Sequence, residues 1–551
     1  MQKIVFANIG LPGNLPYANP LLLQIHAAVS QQKFPSREIK IVDGVAGDSL
    51  PDVISSIEEH DILVVSMANE SALDLLPNLL KQSIKSRVAI VISGILFTDI
   101  NANRIMQELT DQFPNVKFHC FLGRETTELV QTINDICAPS SGDTAAFATT
   151  KYYSIFSDNT LPPNIVTPVD IPFSNKMLRA AMDSGLVINI EGLSRGCEHK
   201  CLYCHLNDSQ KTSGVIQDVS ANSVNAIMNL YNQFGASCLY YFSDENFFGG
   251  GPSRLDRIID FASKLKEFGF RGRIGVDSRI DTILSDKDAV DTKIKRNSAW
   301  AAMVDLGLSY CYFGIESLAS SQLKRYGKLK QEASIMAGIR AAREFDLDFT
   351  IGLIMMDPLV TRAEILETIE KLNQGKMLHN AASLLKPMRL QPHGRYSKVL
   401  NSLFPNTDRD LNFLHKRATQ QMDIKNEEVN RAWPLLSRIH SLFNESGYRH
   451  SDVMAHLSLL RDSTLPDIYL IANNVSRLEV EVIQMLLGAQ SESSIVMQTK
   501  IRKLVRECST NCAEWLHQSA NTAELPLASK KVINHYLQTF NRVLDSLSLY
   551  I

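Results

Sequence analysis

Twice along the chain, short runs of β-branched and aromatic residues alternate with longer stretches of helical periodicity, and this recurrence limits the fold more than any other feature. The first series occupies residues 1–140. Its strands read "KIVFANI", "EIKIVD", "DILVVSM", "VAIVISG" and "VKFHCFLG", with "LLLQIHAAVSQQ", "SALDLLPNLLKQSI" and "ETTELVQTINDI" as helical stretches among them. Continuously apolar strands separated by amphipathic helices specify a parallel sheet covered on both faces. A ligand of such a sheet sits outside the carboxyl ends of its strands. The loops from Gly10 to Pro20, Ser66 to Ser71 and Gly94 to Thr98, and the one at Gly123, all fall on that edge. A Rossmann-like domain without any ligand would show the same pattern, so the sheet alone assigns no function.

The alternation lapses across residues 141–185, where "SDNTLPPNIVTPVDIP" reads as a surface linker between domains. It resumes over residues 186–400 with strands expected at "LVINIEG", "CLYYFSD", "GRIGVDS", "SYCYFGIES", "DFTIGLIMMD" and "SLLKPMRLQ". Six strands, each followed by a crossover, suggest a complete or partial barrel with its active site at the carboxyl ends. Beyond it, residues 401–551 lose their strand signals and keep only helical periodicity, as in "NEEVNRAWPLLSRIHSLFNE" and "SKKVINHYLQTFNRVLDSL". Three domains suit a chain of 551 residues, which is too long for one core.

The formal net charge is -3 and no long lysine or arginine run occurs, so nothing electrostatic calls for a nucleic-acid partner. "MQKIVFANIG" reads as a buried first strand rather than a signal peptide. No stretch reaches the roughly 20 apolar residues that span a bilayer. The expectation is a cytoplasmic protein without a membrane partner, with its thiols reduced.

In that setting "RGCEHKCLYCHLND" stands out, because Cys197, Cys201 and Cys204 crowd a third of the nine cysteines into eight residues. They follow directly on the first strand of the second series, at the end where a barrel does its chemistry. Three thiolates can hold three irons of a [4Fe–4S] cluster that normally takes four, which leaves one iron open to react. Two other readings of the residues stand beside this one. His199 or His205 could complete a zinc site, and Cys201 with Cys204 forms a CxxC pair suited to redox work.

CxxxCxxC with an aromatic residue, Tyr203, before the last cysteine resembles the signature of the radical S-adenosylmethionine (radical SAM) superfamily, over roughly residues 185–400. The resemblance makes Cys197, Cys201 and Cys204 the cluster ligands, and it extends to several strand ends. "YYFSDENF" is similar to the segment that binds the methionine amino group, with Ser243, Asp244 and Glu245 as candidates. "GVDSRID" offers Ser278 and Arg279 to the carboxylate or ribose, "FGIES" offers Glu316, and "TIGLIMMDP" passes the adenine at Gly352. Tyr203 joins these S-adenosylmethionine contacts. An ammonium wants carboxylates, and an arginine can grip a carboxylate with two hydrogen bonds.

A Rossmann-like domain ahead of such a barrel resembles the cobalamin-dependent branch. "ISGILFT" is similar to that branch's GGxxxT turn and "LGRETTELV" to its GExE turn, with Ser93 and Arg124 as departures. The resemblance puts cobalamin against Leu11, Pro12, Ser66, Ser71, Gly94, Thr98, Gly123 and Glu125. No DxHxxG sequence supplies a histidine to cobalt, which points to a base-off site or to no cobalamin. The implied protein is α/β, with a Rossmann-like cobalamin-binding domain, a partial (β/α)6 radical SAM barrel and a mostly helical C-terminal domain. The implied cofactors are a [4Fe–4S] cluster, S-adenosylmethionine and cobalamin. The implied activity is methylation of an unactivated carbon of a small-molecule substrate through a 5′-deoxyadenosyl radical, fed by an external flavodoxin or ferredoxin-type electron donor. Cyclisation or rearrangement with the same cofactors, and a non-catalytic iron–sulfur sensor, are the alternatives. The remaining cysteines read as packing residues: Cys120, Cys137, Cys238 and Cys311 in or near sheets, Cys508 and Cys512 on one helix face.

Overall fold

A computed structural model describes residues 3–9, 17–18, 38–43, 62–67, 88–93, 99–114, 116–121, 153–156, 187–190, 193–195, 197–204, 217–218, 223–236, 238–242, 244–283, 289–328, 332–388, 395–403, 424–448, 453–455, 469–488, 494–520 and 527–551. Two parallel six-stranded sheets organise them. The strands of the N-terminal part are β1 (Lys3–Ile9), β2 (Tyr17–Ala18), β3 (Glu38–Asp43), β4 (Ile62–Met67), β5 (Val88–Ser93), β6 (Lys117–Phe121) and β7 (Tyr153–Phe156). The first sheet has the order β3-β1-β4-β5-β6-β7. From β1 the chain crosses to one side to form β3 and returns to the other side as β4. That reversal opens a crevice at the carboxyl ends of β1 and β4, next to Ile9 and Met67. The edge strand β7 falls inside the segment expected to be a bare linker. Its run "YSIF" is aromatic and β-branched enough to add a strand alongside Phe118–Phe121.

The second sheet contains β8 (Val187–Ile190), β11 (Leu239–Phe242), β12 (Arg273–Ser278), β13 (Leu308–Glu316) and β14 (Asp348–Leu353), five parallel neighbours in sequence order. Between β8 and β11 lies a two-stranded antiparallel ribbon, β9 (Ser194–Arg195) with β10 (Gln217–Asp218). These five barrel strands lie where the alternation places them; the sixth does not. Among the described residues of "SLLKPMRLQ" only Pro387 makes a bridge, to Met356, and just ahead of the run Ala381 makes another, to Ile351. Ala382 N–H still reaches Ile351 O at 2.8 Å, but the donors after it turn away from the sheet. Leu384 N–H bonds Glu479 Oε2 at 2.8 Å and Leu385 N–H bonds Ser383 Oγ at 3.2 Å, while Pro387 has no N–H to give. The sheet's sixth member is instead β2, whose Tyr17 and Ala18 pair with Val187 and Ile188. Tyr17 and Ala18, soon after β1 in the chain, thus lie beside the first barrel strand.

One face of the barrel sheet packs against helices. Tyr240, Phe242, Ile274, Val276, Cys311 and Phe313 are fully buried on it. Phe242 meets Phe261 of a helix at 252–267, and Phe313 meets Trp300 of a helix at 290–306. Trp300 stacks on Phe248 with ring centroids 3.6 Å apart and donates its indole N–H to Thr282 O. The C-terminal region is helical, with α9 (Glu427–Glu445), α10 (Tyr469–Gly488), α11 (Ser494–Ala520) and α12 (Leu527–Tyr550) counted ninth to twelfth among the described helices. A polar pin ties α9 and α10 to the barrel. Ser383 Oγ donates to Glu479 Oε1 at 2.6 Å and lies 3.3 Å from His440 Nδ1.

Candidate functional site

The three cysteines follow β8 by seven residues, and the chain between is fastened by a buried carboxylate. Asp244, just past β11, accepts from Leu193 N–H at 3.1 Å, Ser194 N–H at 2.8 Å and Ser194 Oγ at 2.6 Å. Arg254 completes the clamp with Nη2 at 3.1 Å from Asp244 Oδ1. Burial raises the Asp244 carboxyl above its ordinary value, and Arg254 and the Ser194 donors pull it back. Expected among the S-adenosylmethionine contacts, Asp244 has both oxygens occupied by the loop that leads to Cys197.

A second clamp holds the middle of the cysteine loop. Leu202 N–H donates to Tyr326 O at 2.9 Å, and Tyr396 N–H donates to Leu202 O at 3.1 Å. Both tyrosines hang on one carboxylate: Asp357 accepts from Tyr326 OH at 2.8 Å, Tyr396 OH at 2.7 Å and Arg325 Nη2 at 2.9 Å. Gly327, at φ 67, turns the chain under this contact. A Cβ there would stand 3.3 Å from Leu202, so the glycine serves both the left-handed turn and the close approach. With its backbone pinned at Leu202, the loop closes a turn in which Cys204 N–H bonds Cys201 O at 3.2 Å.

Around the thiols the charges are paired. Arg279 directs Nη1 to Cys201 Sγ at 3.5 Å and grips Asp281 with Nε at 3.0 Å and Nη2 at 3.4 Å. Burial works against that guanidinium, but Asp281 and the Cys201 sulfur outweigh it and hold it protonated. Tyr203 OH donates to Glu316 Oε1 at 2.7 Å, and Lys328 Nζ reaches the same oxygen at 3.1 Å. Glu316 stands at φ 74, a left-handed conformation that costs a non-glycine residue about 1–3 kcal/mol and marks a position fixed from outside. Burial, then the Glu316 charge, raises the Tyr203 phenol, which therefore stays a donor. Glu198 lies between the first two cysteines and accepts from Asn246 Nδ2 and Gly250 N–H, each at 3.3 Å, with His199 Nε2 at 3.2 Å. Burial would raise its carboxyl, yet His199 first, with backbone N–H groups including that of Gly250, lowers it to about 2. Burial pushes the Cys197 thiol up to about 11, so iron must displace a proton there.

The sheet face turned away from the helices is polar and half-open. Tyr241 donates to Asp277, and Tyr310 OH bonds Thr350 Oγ1 at 2.9 Å. Burial lifts the Asp277 carboxyl to about 7, against the Tyr241 hydrogen bond. Glycines keep room beside these groups: a Cβ at Gly352 would lie 2.6 Å from the Tyr312 ring, and one at Gly314 would lie 2.8 Å from Glu316 Oε1.

Of the expected S-adenosylmethionine contacts, the structure gathers Tyr203, Ser278, Arg279 and Glu316 around the cysteine loop and places Gly352 on the polar face. Ser278 Oγ bonds Asn246 Oδ1 at 3.2 Å, and the same oxygen receives Arg279 N–H. Glu245 is half-buried beside Asp244, and Ser243 lies outside the described residues. Of the expected cobalamin contacts only Ser66, near the carboxyl end of β4, falls within the description. Leu11, Pro12, Ser71, Gly94, Thr98, Gly123 and Glu125 lie outside it, as does His205. Sequence reasoning missed Arg254, Asp281, Tyr326, Lys328, Asp357 and Tyr396. The run "LKRYGK" at 323–328 contains two of these but says nothing of their partners.

Among the described residues no three His, Cys, Asp or Glu side chains converge on a point that could hold a single metal ion. Cys197, Cys201 and Cys204 share one short loop, the donor set that a [4Fe–4S] cluster takes with each cysteine on a different iron. The family model described as the radical SAM superfamily matches residues 193–372. A 4′-phospho-dehydrooxetanocin synthase from Priestia megaterium is 26% identical over 235 residues, which cover 41% of this chain and 30% of that relative. The match therefore spans less than a third of the relative's length. Among solved structures, the cobalamin-dependent S-adenosylmethionine radical enzyme OxsB with aqua-cobalamin and S-adenosylmethionine bound superimposes with a TM-score of 0.62 at 14% identity, over 100% of this chain and 80% of the other. OxsB with aqua-cobalamin alone gives 0.61 over the same shares. These likenesses establish a shared fold. No described helix is long and apolar enough to cross a membrane.

Proposed function

The chain carries a radical SAM domain over residues 193–372, and from that premise we propose that it is a cobalamin-dependent radical SAM enzyme that methylates an unactivated carbon of a small polar metabolite. The observation that carries the reading is the cysteine loop: three thiols at CxxxCxxC spacing, pinned from two sides at the carboxyl end of a parallel barrel. The cluster and S-adenosylmethionine, when bound, supply a carbon-centred oxidant, and methylcobalamin supplies the methyl group. Cys197, Cys201 and Cys204 would hold three irons, leaving the fourth for the methionine end of the cofactor. Tyr203, Glu316 and Lys328 fix the edge of that space. Tyr241, Asp277 and Tyr312 offer hydrogen-bond partners to a polar substrate deeper in it.

Cobalamin would lie in the crevice between β1 and β4, the ligand position of this sheet topology, and the shared fold with OxsB supports the assignment. An external flavodoxin or ferredoxin-type protein would deliver the electron in the cytoplasm. A second reading, ring formation or rearrangement with the same cofactors, is favoured by the curated relative, whose name is that of a synthase. Turnover with reductant and candidate metabolites distinguishes the two. S-adenosylhomocysteine formed in step with a product heavier by one methylene supports methylation. 5′-Deoxyadenosine and product without S-adenosylhomocysteine support the second reading.

A further inference from the structure

Arg279 was expected to face S-adenosylmethionine, but its guanidinium is committed on the cluster side. The residue follows β12 with an extended backbone, its N–H on Asn246 Oδ1 at 3.1 Å and its carbonyl accepting from Thr282 Oγ1 at 2.6 Å. The side chain is 10% exposed. Asp281 takes two of its N–H groups in a fork, and the fork aims the third nitrogen at Cys201 Sγ. A long, flexible side chain is thus held at both ends, with its charge out of water and against one cluster ligand.

We propose that Arg279, positioned by Asp281, raises the reduction potential of the cluster by donating a charge-assisted hydrogen bond to the Cys201 thiolate. The inference rests on the cluster reading given above. Reduction adds a negative charge to the cluster, and a desolvated cation beside a ligand sulfur stabilises the reduced form more than the oxidised one. The neighbouring carboxylates Glu198 and Glu316 act in the opposite sense, and each has its own donors. Arg279 contacts a cysteine sulfur directly. It acts through Cys201 and eases entry of the electron.

The test is a spectroscopically monitored redox titration of the anaerobically reconstituted full chain, with iron content measured in parallel. Arg279→Gln should lower the midpoint by about 59 mV, a roughly tenfold change in the one-electron equilibrium, at unchanged iron content. Arg279→Lys, which keeps the cation without the fork, should fall between. Arg279→Met, which removes the charge and every donor, should lower the midpoint at least as far, and Arg279→Lys stands in if Arg279→Gln does not fold. Midpoints equal to wild type in all three variants overturn the proposal. So does an unchanged midpoint with weakened S-adenosylmethionine binding by equilibrium dialysis, which would return Arg279 to the cofactor's carboxylate. A wild-type chain that takes up no cluster overturns the functional reading as well, so the two failures are told apart.

Discussion

Tyr203 donates its hydroxyl to Glu316 Oε1 at 2.7 Å, across 113 positions of sequence, and so ties the cysteine loop to the end of the fourth barrel strand. Lys328 holds the same carboxylate oxygen, and Gly314 O accepts from Lys328. Three side chains from three segments therefore share one charge, in a place where solvent contributes little screening. Removing one member leaves the others short of a partner.

Tyr203→Phe deletes a hydrogen bond to a partly buried carboxylate and should cost about 1.5–3 kcal/mol. Urea unfolding at neutral pH measures it. A loss below about 0.5 kcal/mol, the level of an ordinary surface substitution, would mean that the loop is not fastened there.

Asp244→Asn keeps an acceptor for Ser194 but leaves the Arg254 charge buried without its counter-ion. The expected loss is about 3–5 kcal/mol. Iron retained after reconstitution should fall with it, because Leu193 and Ser194 lead directly to Cys197. A variant with normal iron content and normal unfolding would remove the clamp from the account.

Gly352→Ala would place a methyl group 2.6 Å from the Tyr312 ring, whereas Gly251→Ala meets nothing within 4 Å. Overpacking predicts a loss of about 1–3 kcal/mol for the first. The second replaces a helix N-cap glycine, which ranks well above alanine there, and should cost about 0.5–1 kcal/mol. Equal effects from the two would show that the polar face has room to spare.

The pin between barrel and C-terminal helices gives a pH signature. Burial lifts the Glu479 carboxyl to about 7, against the Ser383 and Leu384 donors, from an ordinary value of 4.5. The folded chain then binds the extra proton, so this group's contribution to stability falls as pH rises from 4.5 to about 7. His440 does the reverse. Burial, then the charge of Lys386, lowers it from 6.5 to about 4, so stability rises with pH across that window. These two slopes offset one another. Relative to wild type, thermal stability across this range should slope more upward with pH in Glu479→Gln and more downward in His440→Asn; profiles parallel to wild type in both would contradict the account.

Five barrel strands and the position of the cysteine loop were legible in the sequence, because apolar runs and a CxxxCxxC spacing are local signals. The sixth strand was not. "SLLKPMRLQ" has strand composition, but Glu479, almost a hundred residues later, takes the N–H of Leu384. The use of Asp244 was hidden for the same reason. "SDENF" offers adjacent polar residues, and only the return of Leu193 and Ser194 from fifty positions earlier decides which one is buried. Arg279 was expected to grip a carboxylate, and it does, but the carboxylate is Asp281, two residues away. Contacts of long sequence separation, or of side-chain direction within a loop, leave no periodicity to read.

The central claim is that three thiols and the first sheet together hold a reactive cluster and a cobalamin. Anaerobic reconstitution with iron, sulfide and hydroxocobalamin, followed by gel filtration and an absorption spectrum with metal analysis, tests it most directly. The account predicts roughly four irons per chain, lost when Cys201 is replaced by alanine, together with stoichiometric cobalamin bands. A chain that keeps its irons but passes through the column free of cobalamin would contradict the methyltransfer reading. A chain that binds neither would contradict the account as a whole.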